Sequence, residues 1–207
     1  MIRIIDMPDV VAINETISIP TLRALHGTAN ANLLKVVING TDILQHVHLG
    51  VITPQSAREC LQALLGKRQA LKSLSLTIRV SEGAMYLGIE RLVLFPNLKA
   101  LELGFTSPMH ESDFVDNVYD LLSNPVITFP STLEHFAIKF TSMQGIAWSE
   151  SLQPLVIDNS WAANFPKLHY LELSEKEGYA VRYDHVRGKM TEEIQLWDDL
   201  VKSQLGF

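Results

Sequence analysis

An apolar-x-x-apolar-x-apolar phrase recurs along the chain: Leu33-Leu34-Lys35-Val36-Val37-Ile38, Leu71-Lys72-Ser73-Leu74-Ser75-Leu76, Leu98-Lys99-Ala100-Leu101-Glu102-Leu103, Leu133-Glu134-His135-Phe136-Ala137-Ile138 and Leu168-His169-Tyr170-Leu171-Glu172-Leu173. The last three follow Phe95-Pro96, Phe129-Pro130 and Phe165-Pro166. Alternation at the end of each phrase is the period of a strand, so pairs such as Leu101 and Leu103 face the core. A recurring unit of this kind is the signature of a stacked repeat. The phrases predict strands near 33–39, 71–78, 98–104, 133–140 and 168–174, within one domain spanning 1–207.

The segments between them read as helices and loops. Thr53-Pro54 is an N-cap followed by proline at the first helical position, and Ala57, Cys60, Leu61, Leu64 and Leu65 form one apolar stripe ending at Gly66. A weaker stripe carries Met85, Ile89 and Leu92. Another begins after Ser112 with Phe114, Val118, Leu121 and Leu122, and stops at Asn124-Pro125. Pro154 allows at most a short helix over 149–164. Thr191 is positioned to cap a C-terminal helix near 191–205, with Ile194, Trp197, Val201 and Leu205 as its apolar face. The polar stretch 175–189 reads as a loop or hairpin, and 19–25 as a strand, turn or half-repeat. Ile2 to Ile5 could form an edge strand. Strands separated by helices must be parallel, because the chain returns before each new strand. The fold class is therefore α/β: a leucine-rich-repeat-like solenoid with a curved parallel sheet of about five to six strands and helices on the convex side.

The phrase Phe95-Pro96-Asn97-Leu98-Lys99-Ala100-Leu101-Glu102-Leu103 resembles the repeat of irregular leucine-rich proteins of the ribonuclease-inhibitor type. It is especially similar to the repeat region of fungal F-box-like proteins. The resemblance covers roughly residues 31 to 175. It implies a horseshoe-like solenoid, a protein-binding role and, more narrowly, substrate recognition in an F-box-type ubiquitin ligase. The opening residues lack the leucine-proline start of an F-box, and Gly104-Phe105 stands where regular repeats place asparagine or cysteine.

Composition narrows the classes. The chain has 207 residues, 47% hydrophobic, with a formal net charge of −6. Lysines and arginines are scattered, which argues against a nucleic-acid partner. A lone cysteine, Cys60, excludes an internal disulfide and fits a reducing compartment, cytoplasmic or nuclear. The start has no signal-peptide pattern, and no apolar run approaches the roughly 18 residues of a membrane span, so no membrane is expected. These features also disfavour a receptor ectodomain. The triplets Asn14-Glu15-Thr16 and Asn39-Gly40-Thr41 read as chance sequons.

Little in the sequence points to catalysis, a cofactor or a metal. His46-x-His48 is the one close histidine pair, and no further ligand at usual spacing completes a metal set. Cys60 lies on an apolar stripe and reads as core. Asp113, Asp116 and Asp120 share a helical side opposite such a stripe and read as a solvated face. The outward strand positions carry the functional expectation: Lys35, Val37 and Asn39; Ser73, Ser75 and Thr77; Ala100, Glu102 and Gly104; His135, Ala137 and Lys139; Tyr170, Glu172 and Ser174. Of these, Ser75, Glu102, His135, Lys139, Tyr170 and Glu172 are the expected protein-binding residues on the concave face, Tyr170 being of a type frequent in hot spots. Strands about 4.8 Å apart give a stripe on the order of 20 Å wide, and its fifteen side chains are fewer than the ~20–30 residues per partner of a standard interface. The expected function is a non-enzymatic protein-interaction scaffold for an unidentified partner, part of a longer solenoid. The alternatives are an orphan structural repeat, and an α/β enzyme whose perturbed titratable cluster would lie at the strand C-termini.

Overall fold

A computed structural model describes residues 18, 20–27, 31–79, 89–106, 118–123, 127–140, 160–175, 180–184 and 189–192. Six strands run parallel: β1 (Ala24–Gly27), β2 (His46–Ile52), β3 (Ser73–Arg79), β4 (Ala100–Thr106), β5 (His135–Phe140) and β6 (Tyr170–Glu175). Two more, β7 (Ala180–Asp184) and β8 (Lys189–Glu192), continue the sheet antiparallel. The spatial order is the chain order, β1 to β8. Helices α1 (Ala31–Asn39) and α2 (Pro54–Leu64) pack on each other, and α2 also packs on β3.

Register aligns the apolar positions in rows. Leu25, Val47, Leu74, Leu101, Phe136 and Leu171 lie side by side, and Leu49, Leu76, Leu103, Ile138 and Leu173 form the next row. All are buried in one cluster. A further row stands two residues before each parallel strand: Leu22, Leu44, Leu71, Leu98, Leu133 and Leu168, each at most 2% exposed. Fully burying one such leucine contributes about 1.5–3 kcal/mol, so the rows dominate stability.

The backbone repeats at the start of each strand. A single carbonyl accepts from two successive amides of the next unit: Arg23 from Gln45 and His46, Gln45 from Lys72 and Ser73, Lys72 from Lys99 and Ala100. The pattern continues with Lys99 to Glu134 and His135, and Glu134 to His169 and Tyr170. Two units share their turn as well. A 3-10 helix (Leu92–Leu94, Ser160–Asn164) leads into Phe-Pro, and the Phe carbonyl accepts from Leu98 or Leu168. Phe95, Phe129 and Phe165 are buried, with Phe129 5.3 Å from Phe165 between ring centroids. They fill the turn into the strand, as the Phe-Pro pairs predict.

Several expectations need correction. The first phrase is helix, not strand: Leu34, Val37 and Ile38 are spaced i, i+3, i+4 and buried. Lys35, Val37 and Asn39 are therefore not outward strand residues; the strand of that unit is β2. The stripe after Thr53 is helical as expected, with the Thr53 side chain accepting from the Ser56 amide. Gly66, however, lies within a 3-10 helix, Leu65–Lys67, and is not a left-handed cap. Thr191 lies in β8 opposite Arg182, so it caps no helix; residues 193–207 lie outside the described residues. The 175–189 stretch contributes a hairpin. The short helix over 149–164 is the 3-10 helix Ser160–Asn164. Residues 118–123 are helical, with Val118, Leu121 and Leu122 buried and Asp120 exposed. Ile2 to Ile5, Met85, Phe114, Asp113 and Asp116 lie outside the described residues.

Candidate functional site

The sheet face opposite the leucine rows carries the polar alternates. Register brings them into lines across the strands. One runs Ala24, His46, Ser73, Ala100, His135, Tyr170; the next runs His26, His48, Ser75, Glu102, Ala137, Glu172. A third holds Thr77, Gly104, Lys139 and Ser174. Gly104 is required by space: a Cβ there would lie 2.9 Å from Thr77 Oγ1.

The sequence led us to expect this face open to solvent, and much of it is closed. Ser75 is 2% exposed, Glu102 3% and Glu172 5%. Ser73, Ala100, Ala137 and His46 are buried as well. A buried carboxylate needs compensation. Ser75 Oγ donates to Glu102 Oε1 at 2.7 Å, and Lys139 Nζ lies 2.5 Å from Glu102 Oε2. That second contact is an ion pair without hydrogen-bond alignment, so charge alone compensates Oε2. Three of the six expected binding residues thus form one internal network.

His135, Lys139 and Tyr170 are only partly buried. The His135 ring stacks on Tyr170 with centroids 5.5 Å apart and planes 17° apart. Exposed His169 sets its ring edge-on to both. Beside it, Lys99 donates to Glu134 Oε1 at 2.7 Å. That hydrogen bond holds the Glu134 carboxyl below its ordinary range, aided by the charges of Lys99, His135 and His169 against the opposing effect of desolvation.

The N-terminal end of the face carries histidines that sequence reasoning did not assemble. His46 Nδ1 is 2.7 Å from Ser73 Oγ. Burial, then the nearby Lys72 charge, pushes the His46 pKa down from 6.5. His26 and His48 stand opposite each other on β1 and β2. Spacing pairs His46 with His48 in the sequence, but nothing local pairs His48 with His26, which lies on the neighbouring strand. Cys60 is fully buried, and burial followed by Glu59 pushes its thiol up to about 11. Among the described residues, no group of three or more His, Cys, Asp or Glu is arranged to hold a metal ion. No helix among them is long and apolar enough to cross a membrane.

No protein-family model matches this chain, and no curated protein or solved structure matches it either.

Proposed function

We propose that the chain is a non-enzymatic protein-interaction scaffold of the leucine-rich-repeat type, which holds a protein partner on the β5–β6 part of its polar sheet face. The observation that carries this reading is the half-buried stack of His135 on Tyr170, with exposed His169 edge-on beside it. Flat, pre-ordered aromatic rings offer contact area at low entropic cost, and tyrosine is frequent among hot spots. Lys139 adds a partly exposed cation on the same strand as His135. The repeat reading is supported by sequential parallel strands and the recurring two-amide carbonyl bond. Within it, substrate recognition for an F-box-type ubiquitin ligase is the narrower role that the repeat phrase suggests.

The test is quantitative affinity capture with wild type against a Tyr170→Ala/His169→Ala variant and a Val51→Ser control. Val51 is an exposed apolar residue on β2, away from the stack. Partners lost from the double variant alone support the reading; partners retained equally by all three proteins refute it. A second reading, a structural repeat without a partner on this face, is favoured by the burial of Ser75, Glu102 and Glu172. It predicts that no partner distinguishes the variants.

A further inference from the structure

Lysines and arginines that lie scattered along the sequence gather at the strand-entry end of the sheet. Arg23, Gln45, Lys72, Lys99, Glu134 and His169 hold equivalent positions just ahead of the six parallel strands, tied side by side by the two-amide carbonyl bonds. The turns that lead to them add Lys67, Arg68 and Lys167. Residues 20–23, 42–45, 67–72, 95–99, 129–134 and 165–169 thereby hold six of the chain's 17 lysines and arginines but two of its 23 acids, Asp42 and Glu134. In a chain of net charge −6 this is a segregated cationic rim. All of its cations except the partly buried Lys67 are exposed. Lys99 is committed to Glu134, whereas Arg23, Arg68 and Lys72 make no ion pair among the described residues. The charge is felt nearby: after burial, Lys72 is the second cause that lowers the His46 pKa.

Six strands about 4.8 Å apart make the rim roughly 24 Å long, the span of about seven residues of extended chain. We propose that this strand-entry rim docks an extended segment of the protein partner, about seven residues long and rich in aspartate and glutamate. The inference rests on the partner-binding reading and gives that partner its chemistry. His169 joins the two surfaces, since it belongs to the rim and sets its ring edge-on to Tyr170. A short acidic segment places its carboxylates only where the cations are. A nucleic acid fits less well, because its phosphates, one per about 1.7 Å of duplex, would continue past the rim over a surface that is acidic overall. Exposed pairs of this kind are screened by salt, so the docking is salt-sensitive.

The experiment is fluorescence anisotropy of the full chain with labelled octaglutamate, against octaglutamine and an eight-nucleotide single-stranded oligothymidylate. Net charge alone would repel octaglutamate; the rim should make wild type bind it in preference to both comparisons. Raising salt from about 50 mM to about 300 mM should weaken that binding at least about tenfold. Lys72→Glu, which turns one exposed attraction into a repulsion, should weaken it about fivefold. Arg79→Glu makes the same change of charge at the other end of β3 and should alter it by less than about twofold. The proposal is overturned by absence of octaglutamate binding to wild type, by tighter binding of the oligothymidylate, or by equal weakening in Lys72→Glu and Arg79→Glu. The wild-type comparisons do not depend on how the variants fold. Partners lost from the Tyr170→Ala/His169→Ala variant but kept by Lys72→Glu would overturn the rim alone and leave the partner-binding reading standing.

Discussion

Replacing Lys139 by methionine removes the cation that faces Glu102 while keeping the length of its apolar stem. The Glu102 side chain is 4% exposed and that of Lys139 29%, at 2.5 Å. At an effective dielectric near 20, such a pair attracts by roughly 6–7 kcal/mol, most of it offset by the cost of removing both charges from water. What the substitution exposes is that cost without its offset. Breaking a buried pair costs about 3–5 kcal/mol, and the partial exposure of Lys139 places this case at the low end, about 3 kcal/mol. Urea unfolding followed by the fluorescence of tryptophan, including Trp161 (2% exposed), and by circular dichroism gives the value. The stranded carboxylate is relieved only by removing its charge. Adding Glu102→Gln supplies the relief directly. The amide oxygen still accepts from Ser75, and the double variant should lie within about 1 kcal/mol of wild type. A Lys139→Met variant within about 0.5 kcal/mol of wild type, or a double variant no better than the single one, would refute the view that this pair is a buried, mutually dependent unit.

Three other expectations bear on the same face and its core. The Cys60 thiol, pushed up to about 11 and fully buried, should resist an aromatic disulfide reagent at pH 8 until the protein unfolds; labelling at the rate of a free thiol would contradict that packing. Gly104→Ala should destabilise by about 1–3 kcal/mol, since its Cβ would meet Thr77 Oγ1 at 2.9 Å and Cγ2 at 3.2 Å. The loss should shrink in a Thr77→Ala background, and simple additivity in thermal melts would count against the clash. Finally, the folded state holds the His46 pKa below its ordinary 6.5, through burial first and Lys72 second. The unfolded chain therefore binds more protons as pH falls through 6.5, and stability present above that value should decline towards the lower folded pKa. His46→Leu should flatten this slope in urea titrations between pH 7.5 and 5.5; an unchanged slope would assign the decline to other groups.

The strands from β3 to β6 were legible because their leucines recur at a fixed offset from the strand start, and burial rewards that offset wherever units stack. The Thr53 cap was legible for the same local reason: a threonine followed by proline satisfies its own first turn. The site was legible only as a set of outward positions. Alternation tells which side of a strand a residue takes, and it placed Ser75, Glu102, His135 and Glu172 on one face with Lys139 and Tyr170. It cannot tell whether that side is wet. Glu102 and Glu172 look like solvent-facing acids in their own segments, yet both are buried.

The sequence alone thus determined the repeating core: which leucines are inside, where Phe-Pro turns lead into strands, and that the strands of successive repeat units run parallel. These follow from short-range periodicity and chain return, which neighbours in sequence decide. Tertiary structure decided the rest. Leu34, Val37 and Ile38 suit a strand phrase or a helical stripe equally, and packing of α1 on α2 selected the helix. The meeting of Lys139 with Glu102, of His135 with Tyr170 and of His26 with His48 depends on register between strands that belong to different units. Register is a property of the assembled sheet, because a shift of one residue along a strand would turn that strand's side chains to the other face and part each of these pairs.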